Sequence, residues 1–516
     1  MVAIRKTQLL ATKILPPQCR AGLVERPRLL DLIGNAQTKQ VALVKAGPGF
    51  GKTTLAVAFA EQLQRSGRLV AWLALDDEDD EPARFLFYVS HALRRGVPGV
   101  GDAAINLISD ISLVQFSTIV SSWINDIAGI DEEVYLFLED YHRITDHEIN
   151  NAISYFLRYA PTQFHLVVTA ASEPTLPLAR LRAHNQLVEI DTAALRFDLE
   201  ETSRFLEHEN IGGLDNSAVR LLHAKSEGWP AVLRIIAATL GKQGHDCETY
   251  IRGLSGTLRP IGDYIAEMLN GLPQEMVQFM HRISILDRFC APLCKMVTGV
   301  GSSRQLLNAM ESSQLLLTPL DEERHWYRYH TLLADYLRLR LDAEFGNEVV
   351  KLHRRAYRWY AAQRLWTEAV RHAIAAGDTS EAIAWIEQCA MDLVRKGDLL
   401  TVLSWQRQFP AELEQSQVKV GTAVAWGLAL AMRFDEALAL VDRLACELSV
   451  QPTHDRNATD WECQAIRAVV LALRDDSQAA LPIAEACVKN ATDPWTVNVA
   501  TNVALFGYWK AGDFSS

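Results

Sequence analysis

Over roughly its first 200 residues the chain alternates short apolar runs with stretches of helical periodicity. Residues 40–46, QVALVKA, form an apolar run that ends in a glycine-rich turn, and Thr53 to Gln64 continues with helix-forming residues. Further runs at Leu69–Leu75, Val134–Leu138, Phe164–Thr169 and Leu187–Ile190 alternate with helical segments. Strands that are apolar at every position are buried on both faces, so the pattern predicts a parallel sheet inside a three-layered α/β domain spanning residues 1–200.

Beyond residue 200 the strand signals mostly give way. Ala218–Leu240 and Pro260–Leu272 carry apolar residues at helical spacing and predict a helical domain over 201–275 that packs on the first. Within 276–345, LLLTPLD and HWYRYH, joined by the turn Asp321–Arg324, predict a strand pair among helices, the pattern of a winged helix. From residue 346 the pattern becomes self-similar: EAVRHAIAAGD, EAIAWIEQCA, EALALVDRLA and AALPIAEACV predict stacked helical hairpins of the TPR-like kind. Gly377-Asp378, Gly397-Asp398 and Gly512-Asp513 each place a C-cap glycine before a candidate N-cap aspartate. The chain stops at AGDFSS, where another helix is due, so the sequence reads as a fragment or a truncated product.

The chemistry concentrates in Ala46-Gly47-Pro48-Gly49-Phe50-Gly51-Lys52-Thr53, followed by Thr54. Between a strand and a helix this is a phosphate loop. Gly47, Gly49 and Gly51 let backbone N–H groups converge on phosphates, Lys52 reaches the β and γ oxygens, and Thr53 offers a hydroxyl to Mg²⁺. Its first position is Ala46 rather than glycine. The complementary acid comes from the end of another strand, VYLFLED, where Glu139 can share the metal with Thr53 and Asp140 can orient a water. The fold class is therefore an α/β P-loop NTPase domain followed by a helical domain, a winged helix and helical repeats.

Composition narrows the rest. A net charge of -12 argues against general nucleic-acid binding by the chain itself. Eight scattered cysteines suit reduced thiols; Cys290 and Cys294 lie one helical turn apart, but two ligands do not make a zinc site. The N-terminus lacks an apolar signal core, and the longest apolar run, Val420–Met432, is too short to span a bilayer, so a cytoplasmic location without membrane contact is expected. The acidic run Asp76–Glu81 reads as a solvated loop after a strand, without a catalytic role.

Taken together, TKILPP, GLVERPRLL, AGPGFGKTTL, AWLALDDEDDEPARFLFYV, LFLEDYHRI, PLARLRA, LRFDLEET, EGWPAVL and WYRYHTLLADYLRLRL resemble the large ATP-binding regulators of the LuxR type, the maltose-activator class of the STAND signalling ATPases. The resemblance runs almost end to end. It implies that Val24 and Arg26 lie near the adenine, that Pro230 meets the base from the helical lid, and that His330 touches the β-phosphate of ADP and keeps a switch closed. It also implies an inducer on the repeats, self-association in the ATP state, and promoter DNA bound by a C-terminal helix-turn-helix that is not visible before Ser516. Two positions depart from the pattern: Glu139 replaces the usual aspartate, and Ala171 stands where a sensor arginine is usual. An arginine finger supplies roughly three to five orders of magnitude in rate, so at most slow ATP hydrolysis is expected. A repeat scaffold with a degenerate nucleotide site and a P-loop ATPase enzyme are the alternatives.

Overall fold

The computed structural model of the protein describes residues 9–18, 24–34, 39–109, 116–211, 214–240, 247–408, 418–450 and 456–512. Two compact units divide the chain, one comprising residues 1–295 and 300–344, the other 296–299 and 345–516.

The first unit is built on five parallel strands, β1 (Val41–Lys45), β2 (Leu69–Ala74), β3 (Val134–Glu139), β4 (Phe164–Ala170) and β5 (Leu187–Ile190), in the order β2-β3-β4-β1-β5. All five coincide with the apolar runs, and both sheet faces are covered. On one face Leu43, Leu73, Leu136 and Leu138 pack into a core with Phe85, Tyr88, Trp123 and Phe156. On the other, Tyr135 and Phe137 meet Phe59 of the helix Lys52–Arg65 at ring-centroid distances of 6.0 and 6.1 Å. Alternation of side chains along each strand thus produces the three layers.

The acidic run is a correction. Asp79 is fully buried, not solvated. Its carboxylate receives Lys13, Nε of Arg84 at 3.1 Å and the Asp76 amide at 2.9 Å, while Asp80 accepts from the Thr145 and Asp146 amides, both at 2.7 Å. Buried carboxylates persist only when paired and hydrogen-bonded, and these bonds tie the TKILPP segment and the start of the helix Pro82–Gly96 to the sheet.

Helices Leu199–His208, Asn216–Ser226, Pro230–Leu240 and Arg259–Leu269 follow. The expected strand pair forms as β7 (Leu317–Pro319) and β8 (Trp326–Tyr329), antiparallel, with Asp321 closing the turn by accepting the His325 amide at 2.7 Å. A third strand, β6 (Phe289–Cys290), pairs with β8 as well; two residues are too few for periodicity to announce it. Cys290 and Cys294 are buried and form no disulfide, and no cluster of three metal-ligating residues occurs among the described residues.

The helix Thr331–Ala362 is interrupted at Phe345 (φ -131°, ψ 24°), where the second unit takes over. Among its described residues the regular elements are all helices, such as Thr379–Arg395, Phe434–Val450, Ser477–Asn490 and Pro494–Ala511, packed on their neighbours. Gly377, Gly397 and Gly512 do adopt positive φ (76°, 81° and 73°) and end their helices. Asp378, however, does not cap the next one: its carboxylate takes Arg354 through two 2.8 Å bonds and the Tyr357 hydroxyl at 2.9 Å. Asp513 lies outside the described residues. No described helix is long and apolar enough to cross a membrane.

In the first unit, a methyl group added at Gly256 would lie 1.7 Å from the Leu332 carbonyl oxygen, where the helical domain meets the winged helix. Gly256→Ala is therefore expected to destabilise the protein by about 1–3 kcal/mol, the usual cost of overpacking. Denaturant unfolding checks this, and an unchanged midpoint contradicts the close approach.

Candidate functional site

The glycine loop leaves β1 at its C-terminal end and enters the helix Lys52–Arg65. Gly49 (φ 76°) and Gly51 (φ 85°) hold left-handed conformations that L side chains rarely adopt, which is why glycine stands at both. Lys52 Nζ donates to the Gly47 carbonyl at 3.2 Å, folding the ammonium back over the loop. Burial lowers its pKa, opposed by the charges of Asp140 and Glu139. Thr53 donates its hydroxyl directly to the Glu139 carboxylate; burial raises the pKa of Glu139, opposed by this bond.

These residues fit a magnesium nucleotide. Thr53 and Glu139 bring two hard oxygen donors together, the chemistry Mg²⁺ demands, and the loop's amides and Lys52 supply the positive potential for phosphates. Bound there, Mg²⁺ would neutralise phosphate charge. Asp140 itself is left-handed (φ 57°), with its amide donating to Thr169 Oγ1 at 3.0 Å, so it turns the chain sharply at the C-terminal end of β3.

Other segments of the same unit cover the loop. Trp229 is fully buried, donates Nε1–H to the Pro48 carbonyl at 3.3 Å and stacks on Phe50 at 5.8 Å. Pro230 opens its helix, where a missing N–H costs nothing, and the next amide, Ala231 N–H, donates to the Gly49 carbonyl at 3.0 Å. From the winged helix, the Gln314 carbonyl lies 2.6 Å from where a side chain on Gly47 would begin.

Glu227 holds this cover in place. It accepts from Arg196 at 2.9 Å, from both terminal nitrogens of Arg328 at 2.9 Å, and from the Thr331 amide and hydroxyl, each at 3.0 Å. Burial alone would raise its pKa; the bonds from Arg328 and the Thr331 amide outweigh that and hold it well below the usual carboxylate range. His330, also fully buried, donates Nε2–H to the Ser226 carbonyl at 3.0 Å and accepts the Leu332 amide at Nδ1 at 3.3 Å. Both ring nitrogens are thus committed within the protein, and a phosphate contact requires Nε2 to release Ser226.

The remaining sequence-derived residues divide. Thr54 continues the loop's helix, half-buried beside Thr53. Val24 is half-buried in the segment before Arg26. Arg26 binds Glu201 (3.1 and 3.2 Å) and the Arg196 carbonyl (2.9 Å), and its guanidinium lies 4.9 Å from the Phe197 ring centroid. Sequence reasoning missed Glu227 and Gln314, whose contacts with Arg328 and Thr192 span 101 and 122 positions. It also missed His142, whose Nδ1 accepts the Ala171 amide at 3.2 Å. An imidazole, rather than an arginine at 171, occupies that corner of the site.

The sheet, the loop at the end of β1 and the winged helix define a P-loop NTPase domain joined to a regulatory module. Residues 265–349 match the family described as the MalT winged helix domain. The chain is 31% identical over 468 residues to the serine/threonine-protein kinase PknK of Mycobacterium tuberculosis, covering 90% of this chain and 42% of that protein. It is 28% identical over 476 residues to the HTH-type transcriptional regulator MalT of Vibrio cholerae, covering 92% and 52%, and 27% identical over 464 residues to MalT of Serratia proteamaculans, covering 90% and 51%. The chain thus spans about half the length of the curated relatives it matches. A solved STAND protein with a tetratricopeptide repeat sensor from Pyrococcus horikoshii aligns with 97% of this chain and 76% of its own at 12% identity, but the TM-score of 0.32 carries no argument. Residues 265–349 thus carry the winged helix of the MalT family model, and the chain as a whole is similar to MalT-type regulators and to PknK.

Burial, reinforced by the Arg196 and Arg328 charges and opposed by Glu227, takes the His330 pKa down to about 4 from 6.5. A depressed histidine pKa means that on acidification the unfolded chain takes up the proton first, so stability falls as pH drops from about 6.5 towards 4. This residue alone is expected to cost about 2 kcal/mol between pH 7 and pH 5. Unfolding of the parent and of His330→Gln at both pH values checks it; an equal pH-dependent loss in the two proteins contradicts the assignment.

Proposed function

We propose that this chain is the ATP- and ADP-dependent switch of a transcriptional regulator. The observation that carries this reading is the double use of the phosphate loop. Its amides and Lys52 are suited to nucleotide phosphates, while its Pro48 and Gly49 carbonyls accept hydrogen bonds from Trp229 and Ala231 of the helical domain. Movement of that domain and exchange of nucleotide therefore act on the same residues.

In this reading ADP with Mg²⁺ occupies the loop in the closed arrangement. Gly47, Gly49, Gly51, Lys52, Thr53 and Thr54 bind phosphates, Thr53 and Glu139 hold the metal, and Asp140 orients a water for slow hydrolysis. Val24, Arg26 and Pro230 border the base, and His330 exchanges Ser226 for the β-phosphate. An inducer on the C-terminal helices, acting as a repeat-like sensor, favours ATP exchange and self-association, because each ligand shifts the equilibrium by its preference for the open state. The likeness to the HTH-type transcriptional regulator MalT supports promoter DNA as the final partner of the whole protein.

Purified protein is expected to release stoichiometric ADP on denaturation, identified by chromatography, whereas Lys52→Ala retains at least roughly ten-fold less, since one charge-assisted phosphate contact contributes about 1.5–3 kcal/mol. Equal ADP content in the variant counts against the reading. Opening should also be nucleotide-coupled: Trp229→Phe, which keeps the ring stack but removes the bond to Pro48, is expected to accelerate ADP dissociation several-fold. A rate equal to the parent's in stopped-flow displacement overturns the coupling.

A further inference from the structure

The opposite end of the same sheet carries a cavity of about 350 Å³, at the N-terminal ends of β1, β4 and β5 and thus away from the phosphate loop. Among the residues that line it are Lys39, Gln40, Arg158, His165, Arg180 and Gln186. No carboxylate lines it, and Lys39, Arg158 and Arg180 form no ion pair with any other described residue.

Its chemistry is specific because three buried polar atoms on lining residues have no partner: Gln40 Oε1, His165 Nε2 and Arg180 Nε. The rest of each group's bonding fixes what is left over. Gln40 donates its amide to the Leu157 carbonyl at 2.6 Å, which leaves an acceptor oxygen. His165 is 4% exposed, is stacked on Tyr135 at 4.5 Å and donates Nδ1–H to the Lys39 carbonyl at 2.7 Å, which leaves Nε2 of the neutral ring as an acceptor. Arg180, which sits in the PLARLRA stretch, offers an unused donor beside a full positive charge. Native proteins seldom leave buried polar atoms unsatisfied, and three of them on one cavity mark a place built for a ligand.

We propose that this cavity is a second binding site, for a small hydroxylated oxyanion such as a phosphorylated polyol. The oxyanion is held by Arg158, Arg180 and Lys39, and its hydroxyls donate to Gln40 Oε1 and His165 Nε2. The volume suits a compact metabolite rather than a polymer.

The test is calorimetric titration of the full chain with sn-glycerol 3-phosphate, inorganic phosphate and glycerol. The expected result is saturable binding of glycerol 3-phosphate, tighter than that of either fragment, unchanged in Lys52→Ala, and roughly ten-fold weaker or more in Arg158→Ala and in Arg180→Gln, given that one charge-assisted bond contributes about 1.5–3 kcal/mol. Arg158 is exposed on its helix, so its substitution leaves the fold intact and keeps the test valid if Arg180→Gln unfolds. Absence of binding to the parent, equal binding by Arg158→Ala, or loss of binding in Lys52→Ala overturns the proposal; the last would assign the heat to the phosphate loop, and the first would leave the cavity to water.

Discussion

One half-buried carboxylate, Glu227, ties together the segments of the first unit that cover the phosphate loop. Glu227 sits in a left-handed turn (φ 47°) between the helices Asn216–Ser226 and Pro230–Leu240, and it draws Arg196 from beyond β5 and Arg328 and Thr331 from the winged helix into one set of bonds. A charge taken out of water is tolerated only when such partners surround it, and removing one partner typically leaves an uncompensated ion that costs several kcal/mol. Two residues later comes Trp229, so satisfying Glu227 sets the ring over the phosphate loop. Gly228, between them, is left-handed (φ 67°), and its carbonyl accepts the Phe197 amide at 2.8 Å, which fixes the turn from the opposite side.

That arrangement makes the loop a junction between domains as well as a phosphate cradle. Backbone amides and carbonyls point in opposite directions, so one short glycine-rich segment can offer donors to a nucleotide and acceptors to a neighbouring helix. Trp229 and Ala231 touch the loop directly, and His330, in ring contact with Trp229 at 5.4 Å, continues that line of contacts to the winged helix. Glu139 adds a constraint of its own. Its side chain is one methylene longer than aspartate's and already reaches the Thr53 hydroxyl, so the acid and the hydroxyl are assembled together.

A parallel sheet covered on both faces confines polar chemistry to its two ends. At the C-terminal end lie the loop, Glu139, Asp140 and the Ala171–His142 corner; at the N-terminal end lie Gln40, His165 and Arg180 with their unpartnered atoms. The strands between them are nearly continuous Val, Leu, Phe and Ala, which keeps the polar groups of the two ends apart.

The sequence by itself determined the strands, the phosphate loop and the succession of helices, because these are local. An apolar run long enough to cross a buried sheet, a glycine triplet before Lys52, and glycines such as Gly377 that end helices all declare themselves within a few residues. The strand pair around Asp321 was legible for the same reason. What only the tertiary structure decided depends on partners far apart in the chain. Asp79 reads as one acid among several in a hydrophilic run, yet Lys13 and Arg84 bury it; Asp378 reads as a helix cap, yet Arg354 claims it. Arg26 binds Glu201 across 175 positions, and Glu227 meets Arg328 across 101. A charged residue's role is set by which opposite charge reaches it once water is excluded, and that is a property of the packed chain rather than of any window of sequence.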